Sequence, residues 1–315
     1  MTRRVGLLVG RERTFPDALI AAIVRRDAGV SAEPALLDAT TIDRPPPYDV
    51  IVDRISHEVT CYQPVLKLCA LAGARVINNP FWRIADDKFF NTALASRLGV
   101  AVPKTAVLPS KSYGDDVSTE TLRNLRYPLD WERLAAELGF PMFIKPHWGG
   151  GWRDVHEVGS MEELWAAYDR TGRLTMIAQQ AIPWTQYVRC IVVGQEHVLP
   201  ARWDPRLSHF ERYVGATTSM PPLSPELEAT IVEQSRLLCR ALGYDMNTVE
   251  FAVWDGVPYA IDFMNSAPDF DISSLGEAHF AWVVERMADL CVELALRPPA
   301  PVHRWDALLG APTSR

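Results

Sequence analysis

The segment PMFIKPHWGGGWRDVHEV, residues 141–158, decides how the chain is read. Strands are predicted over 141–145 and 154–158, so Gly149, Gly150 and Gly151 join strand to strand. A Walker A loop and the dinucleotide fingerprint both open a helix, and both are excluded. A glycine hairpin admits phosphates to its backbone N–H groups because no Cβ stands in the way. Lys145, ending the incoming strand, adds positive charge. A plain β-turn beside a solvated lysine is the competing reading of the same residues.

Downstream, strands predicted over 248–254 and 257–263 flank Asp255-Gly256, the clearest hairpin signal in the chain. Glu250 and Asp262 interrupt these apolar strands at nearly symmetric positions about the turn, which makes them cross-strand neighbours able to share one face. Asn265 follows with a neutral amide oxygen. Two carboxylates and an amide are hard donors suited to Mg²⁺ that also bridges phosphates. A solvent face on an edge hairpin accounts for the two acids equally well. Arg189 likewise interrupts the strand predicted over 186–193, and Arg202 ends the next one, over 197–202. Each faces either solvent or a polar pocket.

Upstream, short apolar runs over 5–10, 33–38, 49–53 and 75–77 alternate with helices over 15–26 and 62–72. This pattern predicts a parallel sheet in a Rossmann-like domain, residues 1–80. A helix over 84–98 opens a central α+β lobe, residues 81–182, which contains a polar loop over 110–127. A C-terminal lobe, 183–300, holds the acidic hairpin, a helix over 225–242 and a last helix over 278–296. Residues 301–315 form a loose tail.

The chain has 315 residues, 48% of them hydrophobic, with a net charge of -7. That is enough to bury several cores, and it provides no basic stripe for nucleic acid. Five scattered cysteines without a CxxC pair read as buried thiols. No segment has the length of a signal peptide or a membrane span, so a cytoplasmic protein without a membrane partner is the expectation.

The order of these features carries more than any one of them. Asn78-Asn79-Pro80, Asp87-Lys88, Leu98-Gly99-Val100-Ala101-Val102-Pro103, Ile144-Lys145-Pro146 with the glycines, Gln179-Gln180-Ala181-Ile182, Arg189 and the 250–265 hairpin follow one another along the chain. This series closely resembles the ATP-grasp superfamily, in particular the glutathione synthetase and ribosomal-protein-S6 glutamate-ligase type, over roughly residues 1–297. The resemblance implies an ATP-grasp fold behind a Rossmann-like domain. It also implies an ATP-dependent carboxylate–amine ligase that forms an amide through an acyl phosphate, using ATP and two Mg²⁺ ions, with Mn²⁺ as a substitute. Lys88 and Lys145 look like its phosphate lysines, and Gly149, Gly150 and Gly151 like its phosphate loop. Gln179, Gln180 and Ile182 resemble its adenine hinge, and Gln186 falls near the usual ribose acid. Arg189 and Arg202 resemble its catalytic arginines, and Glu250, Asp262 and Asn265 its metal triad.

The chain also departs from that pattern. The family usually shows Glu-x-Asn on its last strand, whereas two residues separate Asp262 from Asn265, a difference that a β-bulge there would absorb. Asp269 follows Pro268 where a glycine is usual, and Gln186 replaces the ribose acid. Arg11, Arg54, Asp269 and Asp271 are further candidates for holding substrates. The partners implied are small-molecule or peptide carboxylates and amines, and a second copy of the chain if it assembles as a symmetric dimer. An ATP-grasp phosphotransferase and a nucleotide-binding regulatory protein without turnover are the rival readings.

Overall fold

The computed structural model describes residues 2–213 and 215–297, apart from the side chains of residues 84, 85 and 218. The tail expected over 301–315 lies outside the described residues. The chain divides into two compact units. Among the described residues, one contains 2–85, 187–249 and 265–297; the other contains 86–186 and 250–264. The C-terminal lobe expected over 183–300 is therefore shared between them.

The first unit opens with β1 (Arg3–Leu8), α1 (Thr14–Arg25), β2 (Val30–Pro34), β3 (Val50–Asp53), α2 (Tyr62–Leu71), β4 (Arg75–Ile77) and α3 (Pro80–Ala85). The four strands pair in parallel in the order β2-β1-β3-β4. All four residues of β3 are buried, as expected of a strand covered on both faces. Connections leave β1 and β3 in opposite directions, so the C-terminal ends of these two strands form a topological switch point. The strand expected over 33–38 lies three residues earlier. Val30 is buried opposite Arg3, whereas Leu36 is 87% exposed, although its neighbours Ala35 and Leu37 pack against the core.

The second unit continues with α4 (Lys88–Arg97), β5 (Thr105–Leu108), α5 (Trp131–Leu138), β6 (Met142–Pro146), β7 (His156–Val158), α6 (Met161–Arg170) and β8 (Met176–Gln180). Its strands form an antiparallel sheet in the order β5-β8-β6-β7. Met142, Ile144, Met176 and Ala178 pack with Leu164 and Ala167 of α6 into one core. The single helix expected over 84–98 is divided at Asp87. This residue is extended, with φ −144° and ψ 160°, and its carboxylate accepts the Phe90 N–H at 2.8 Å. An aspartate capping a new helix favours that break over helix continuation. Lys88 becomes the first residue of α4 as a result.

The remaining elements are β9 (Gln186–Val193), β10 (His197–Arg202), α7 (Ala216–Ser219), α8 (Pro225–Leu242), β11 (Met246–Trp254), β12 (Val257–Asp262) and α9 (Ile272–Leu296). The strand order is β10-β9-β11-β12. Ser224 caps α8 by accepting the Leu227 N–H, and Gly243 closes it in the left-handed conformation, as its sequence predicts. The last helix starts six residues before its expected position and is interrupted at Gly276, whose φ of 73° breaks the helical path. From Glu250 to Met264 the β11–β12 hairpin belongs to the second unit.

Candidate active site

Asp255 and Gly256 both have positive φ, 50° and 72°, the geometry of a two-residue hairpin turn that matches strand twist. From that turn the rungs run Trp254↔Val257, Val253↔Pro258, Ala252↔Tyr259 and Phe251↔Ala260. The next rung is Glu250↔Asp262, so Ile261 is an extra residue on β12. Continued without the bulge, the ladder would set Glu250 opposite Ile261 and leave Asp262 on the other face. The bulge places the two carboxylates directly across from one another. It lies before Asp262, not between Asp262 and Asn265 as the residue spacing led one to expect.

Two lysines meet these acids. Lys88 reaches Asp262 from the first turn of α4, its Nζ 2.7 Å from Oδ2. Its backbone N–H donates to the His147 carbonyl at 2.8 Å, which ties the start of α4 to the glycine loop. Lys145, near the end of β6, is 8% exposed. Burial pushes its ammonium down to about 8; the charges of Asp262 and Glu250 oppose that shift and Lys88 reinforces it. For Asp262, burial works against the charged form. The ammonium groups of Lys88 and Lys145, with the Lys88 hydrogen bond, outweigh it and hold the carboxyl below its ordinary range.

A cation already rests on Asp262 in the form of the Lys88 ammonium, and Glu250 lies on the opposite rung. The donor set therefore fits a hard divalent cation. Among the described residues no group of three His, Cys, Asp or Glu side chains could hold a metal, so a third protein ligand has to be a neutral oxygen.

One neighbour was not legible in the sequence. Asn91 follows Lys88 by three positions on α4, and with Thr92, Asp262 and Met264 the two line a small cavity. Asn91 is 2% exposed, and neither atom of its amide group has a hydrogen-bond partner among the described residues. The i, i+3 spacing from Lys88 was the available signal, since such residues share a helix face.

The loop between β6 and β7 is exposed from Trp148 to Asp154. Gly149 and Gly151 have φ of 108° and 72°, conformations that favour glycine. On β8, the Gln179 amide is buried and donates to Thr105 Oγ1 at 3.1 Å, so that side chain serves the sheet. Gln180 bonds along β5 through its backbone N–H, which donates to the Lys104 carbonyl. Ile182 is buried just beyond the strand, and Gln186 is half-buried at the start of β9.

The other expected residues belong to the first unit. Arg189 donates to Thr248 Oγ1 at 3.2 Å and lies over the Trp203 ring, 5.1 Å from its centroid. Asn265 Nδ2 donates to the same hydroxyl at 2.9 Å, and its N–H donates to Asn247 Oδ1. The buried Thr248 thus joins the expected phosphate arginine to the expected metal amide, a link that residue spacing did not reveal. Arg202 donates to the carbonyls of Thr217 and Met220, at 3.0 and 2.8 Å, and so fastens the segment around α7. Arg54 is not available to a substrate in this conformation. It grips Glu12 with two nitrogens, donates to the Pro268 carbonyl, and lies over the rings of Phe15 and Phe270, which meet edge to face. Asp269 accepts from Ser274 and contacts His209 at 2.8 Å, while Asp271 caps α9 and accepts from Thr14. All five cysteines are free; burial pushes Cys190, Cys239 and Cys291 up to about 12, which keeps them as thiols.

No family model matches the chain. Among curated proteins, the D-alanine–D-alanine ligase of Ralstonia nicotianae is 28% identical over 241 residues, which cover 68% of this chain and 71% of the relative. The vancomycin C-type resistance protein VanC1 of Enterococcus gallinarum is 24% identical, covering 84% of this chain and 68% of its own. Among solved structures, the VanG D-Ala:D-Ser ligase of Enterococcus faecalis matches with a TM-score of 0.66 at 15% identity, covering 94% of this chain and all of the other. A RimK domain ATP-grasp protein of Sphaerobacter thermophilus matches with 0.62 at 20% identity, covering 93% of this chain and all of the other. The fold is the ATP-grasp fold, with its Rossmann-like sheet of four parallel strands in front. The chain belongs to the ATP-grasp superfamily, and its place there is among the ATP-dependent ligases.

Proposed function

We propose that this ligase joins a small carboxylate to an amine through an acyl phosphate, releasing ADP and phosphate, and that its carboxylate is a small amino acid. The observation that carries the reading is the rung Glu250↔Asp262 facing Lys88 and Lys145. Two acids on one face can hold Mg²⁺, and two buried-side ammonium groups can hold phosphate oxygens. Asn265 remains the third, neutral ligand in this proposal on its sequence position. Mg²⁺ bound to these oxygens would supply neutralisation of the charge that develops on the terminal phosphates.

The chain's own residues account for the rest. Lys88 and Lys145 fix the phosphates while the substrate carboxylate attacks the terminal one, and Arg189 meets the transferred group. Arg202 joins it only if its hold on the α7 segment is released. The segment from Gln179 to Gln186 receives the adenosine, with Ile182 against the base; the Gln179 side chain stays with Thr105. The loop of Gly149, Gly150 and Gly151 closes over the phosphates and keeps water from the acyl phosphate. The amine then attacks the acyl carbon and phosphate leaves. The small amino acid is argued from the relatives: D-alanine–D-alanine ligases are named repeatedly among them, beside a D-Ala:D-Ser ligase.

Incubation with ATP, Mg²⁺ and hydroxylamine over a panel of D-alanine, D-serine, L-glutamate and short peptides tests both levels. Hydroxamate with stoichiometric ADP is expected, strongest with a D-amino acid. ADP with a stable phosphorylated product and no hydroxamate would make the chain a phosphotransferase instead.

A further inference from the structure

Asn91 is buried on both ends of its amide, in a cavity it shares with Lys88 and Asp262. A buried carboxamide with neither its donors nor its acceptor engaged costs free energy in the folded state, so its retention calls for a reason. The cavity's accessible volume is about 10 Å³, room for one water or one ammonium head. Lys88 lies one turn before Asn91 on the same face of α4, and its ammonium currently rests on Asp262.

We propose that Asn91 is a positioning residue that receives Lys88 when a metal ion takes Asp262. The proposal rests on the metal reading given above. Before nucleotide arrives, the lysine then has two stations within one cavity. On Asp262 it balances the carboxylate in the absence of metal. When the carboxylate oxygens turn to a divalent cation, the ammonium loses its counter-charge, and Asn91 Oδ1 offers the acceptor it needs. The hand-over requires no proton to move. It explains how the ion pair Lys88–Asp262, 2.7 Å long and partly buried, can open without stranding a cation among Ile261, Phe263 and Met264.

The test is a double-mutant cycle read by Mn²⁺ binding, followed by the electron paramagnetic resonance of the free ion, with no nucleotide present. The proteins are the wild type, Asn91→Leu, Lys88→Met, the double variant and Asp262→Asn. Lys88→Met is expected to tighten Mn²⁺ by roughly tenfold, the size of an ordinary coupling between adjoining sites. Asn91→Leu is expected to weaken it roughly fivefold when Lys88 is present and to change nothing in the Lys88→Met background. Thermal melting without metal adds an independent sign: Asn91→Leu should raise the midpoint, because an unsatisfied amide has gone. An equal effect of Asn91→Leu in both backgrounds, or a lowered midpoint, would show an ordinary structural asparagine and overturn the hand-over. Mn²⁺ binding that ignores Asp262→Asn would instead remove the metal reading, and this inference with it.

Discussion

Arg54 in the first unit and Lys145 in the second are buried to nearly the same degree, 7% and 8% exposed, yet their surroundings differ in kind. Arg54 has a paired carboxylate, a carbonyl, a methionine sulfur and two aromatic faces, so its charge is answered locally. Lys145 faces two acids but also a second ammonium, and burial drives it toward its neutral form. A cation with its partners complete serves the fold. One held against its own stability marks a place where something else is meant to bind.

The sharpest way to break this contrast is to remove an acid from the open cluster. Asp262→Ala should lower ATP-dependent turnover by about a thousandfold or more, as loss of a group that positions the charge-neutralising ion would. Circular dichroism should show the fold retained. The closed cluster should respond in the opposite currency. Arg54→Leu strands Glu12 without its partner and should lower unfolding free energy by roughly 3 kcal/mol in urea titrations.

The subtlest effect concerns Lys145. Its folded value of about 8 lies below the ordinary 10.5. Between those two values the unfolded chain still binds the proton that the folded chain has released, so stability rises with pH across that window. The burden is complete below pH 8 and relieved by 10.5. Lys145→Met should therefore stabilise the ligand-free protein at pH 7 by up to about 3 kcal/mol, an advantage that fades as pH climbs through the window. The same variant should lose turnover. A lysine whose removal cost stability at pH 7 would belong with Arg54.

Much of this was legible in the residues. The strand–glycine–strand reading of 141–158 and the hairpin at Asp255-Gly256 stand in the structure where the sequence puts them. Lys145, Glu250 and Asp262 drew notice because polar interruptions of apolar strands are visible one residue at a time, whereas Lys88 was expected inside a helix over 84–98 and stands at the start of α4. What escaped depends on contacts between distant segments. The bulge at Ile261 is a property of how β12 pairs with β11 between Glu250 and Phe251, and nothing in the local run Tyr-Ala-Ile-Asp announces it. The break at Asp87 needed a choice between an aspartate that continues a helix and one that caps it, and the apolar pattern on either side favoured neither. Arg54 read as a free strand-end cation because Glu12, Phe15 and Phe270 are remote or unmarked in sequence. Asn91 showed no signal beyond its spacing from Lys88, since an orphaned amide is defined by what fails to reach it.

The single extra residue at Ile261 also changes what a motif means. A hairpin with a strict ladder lets one convert position into facing by counting from the turn. Here the count slips by one just before the residue that matters, so a pattern of fixed spacing finds Ile261 where the geometry has Asp262. What defines such a site is the rung, not the interval, and two chains can hold the same pair of acids face to face while their written sequences disagree about where the second acid should be.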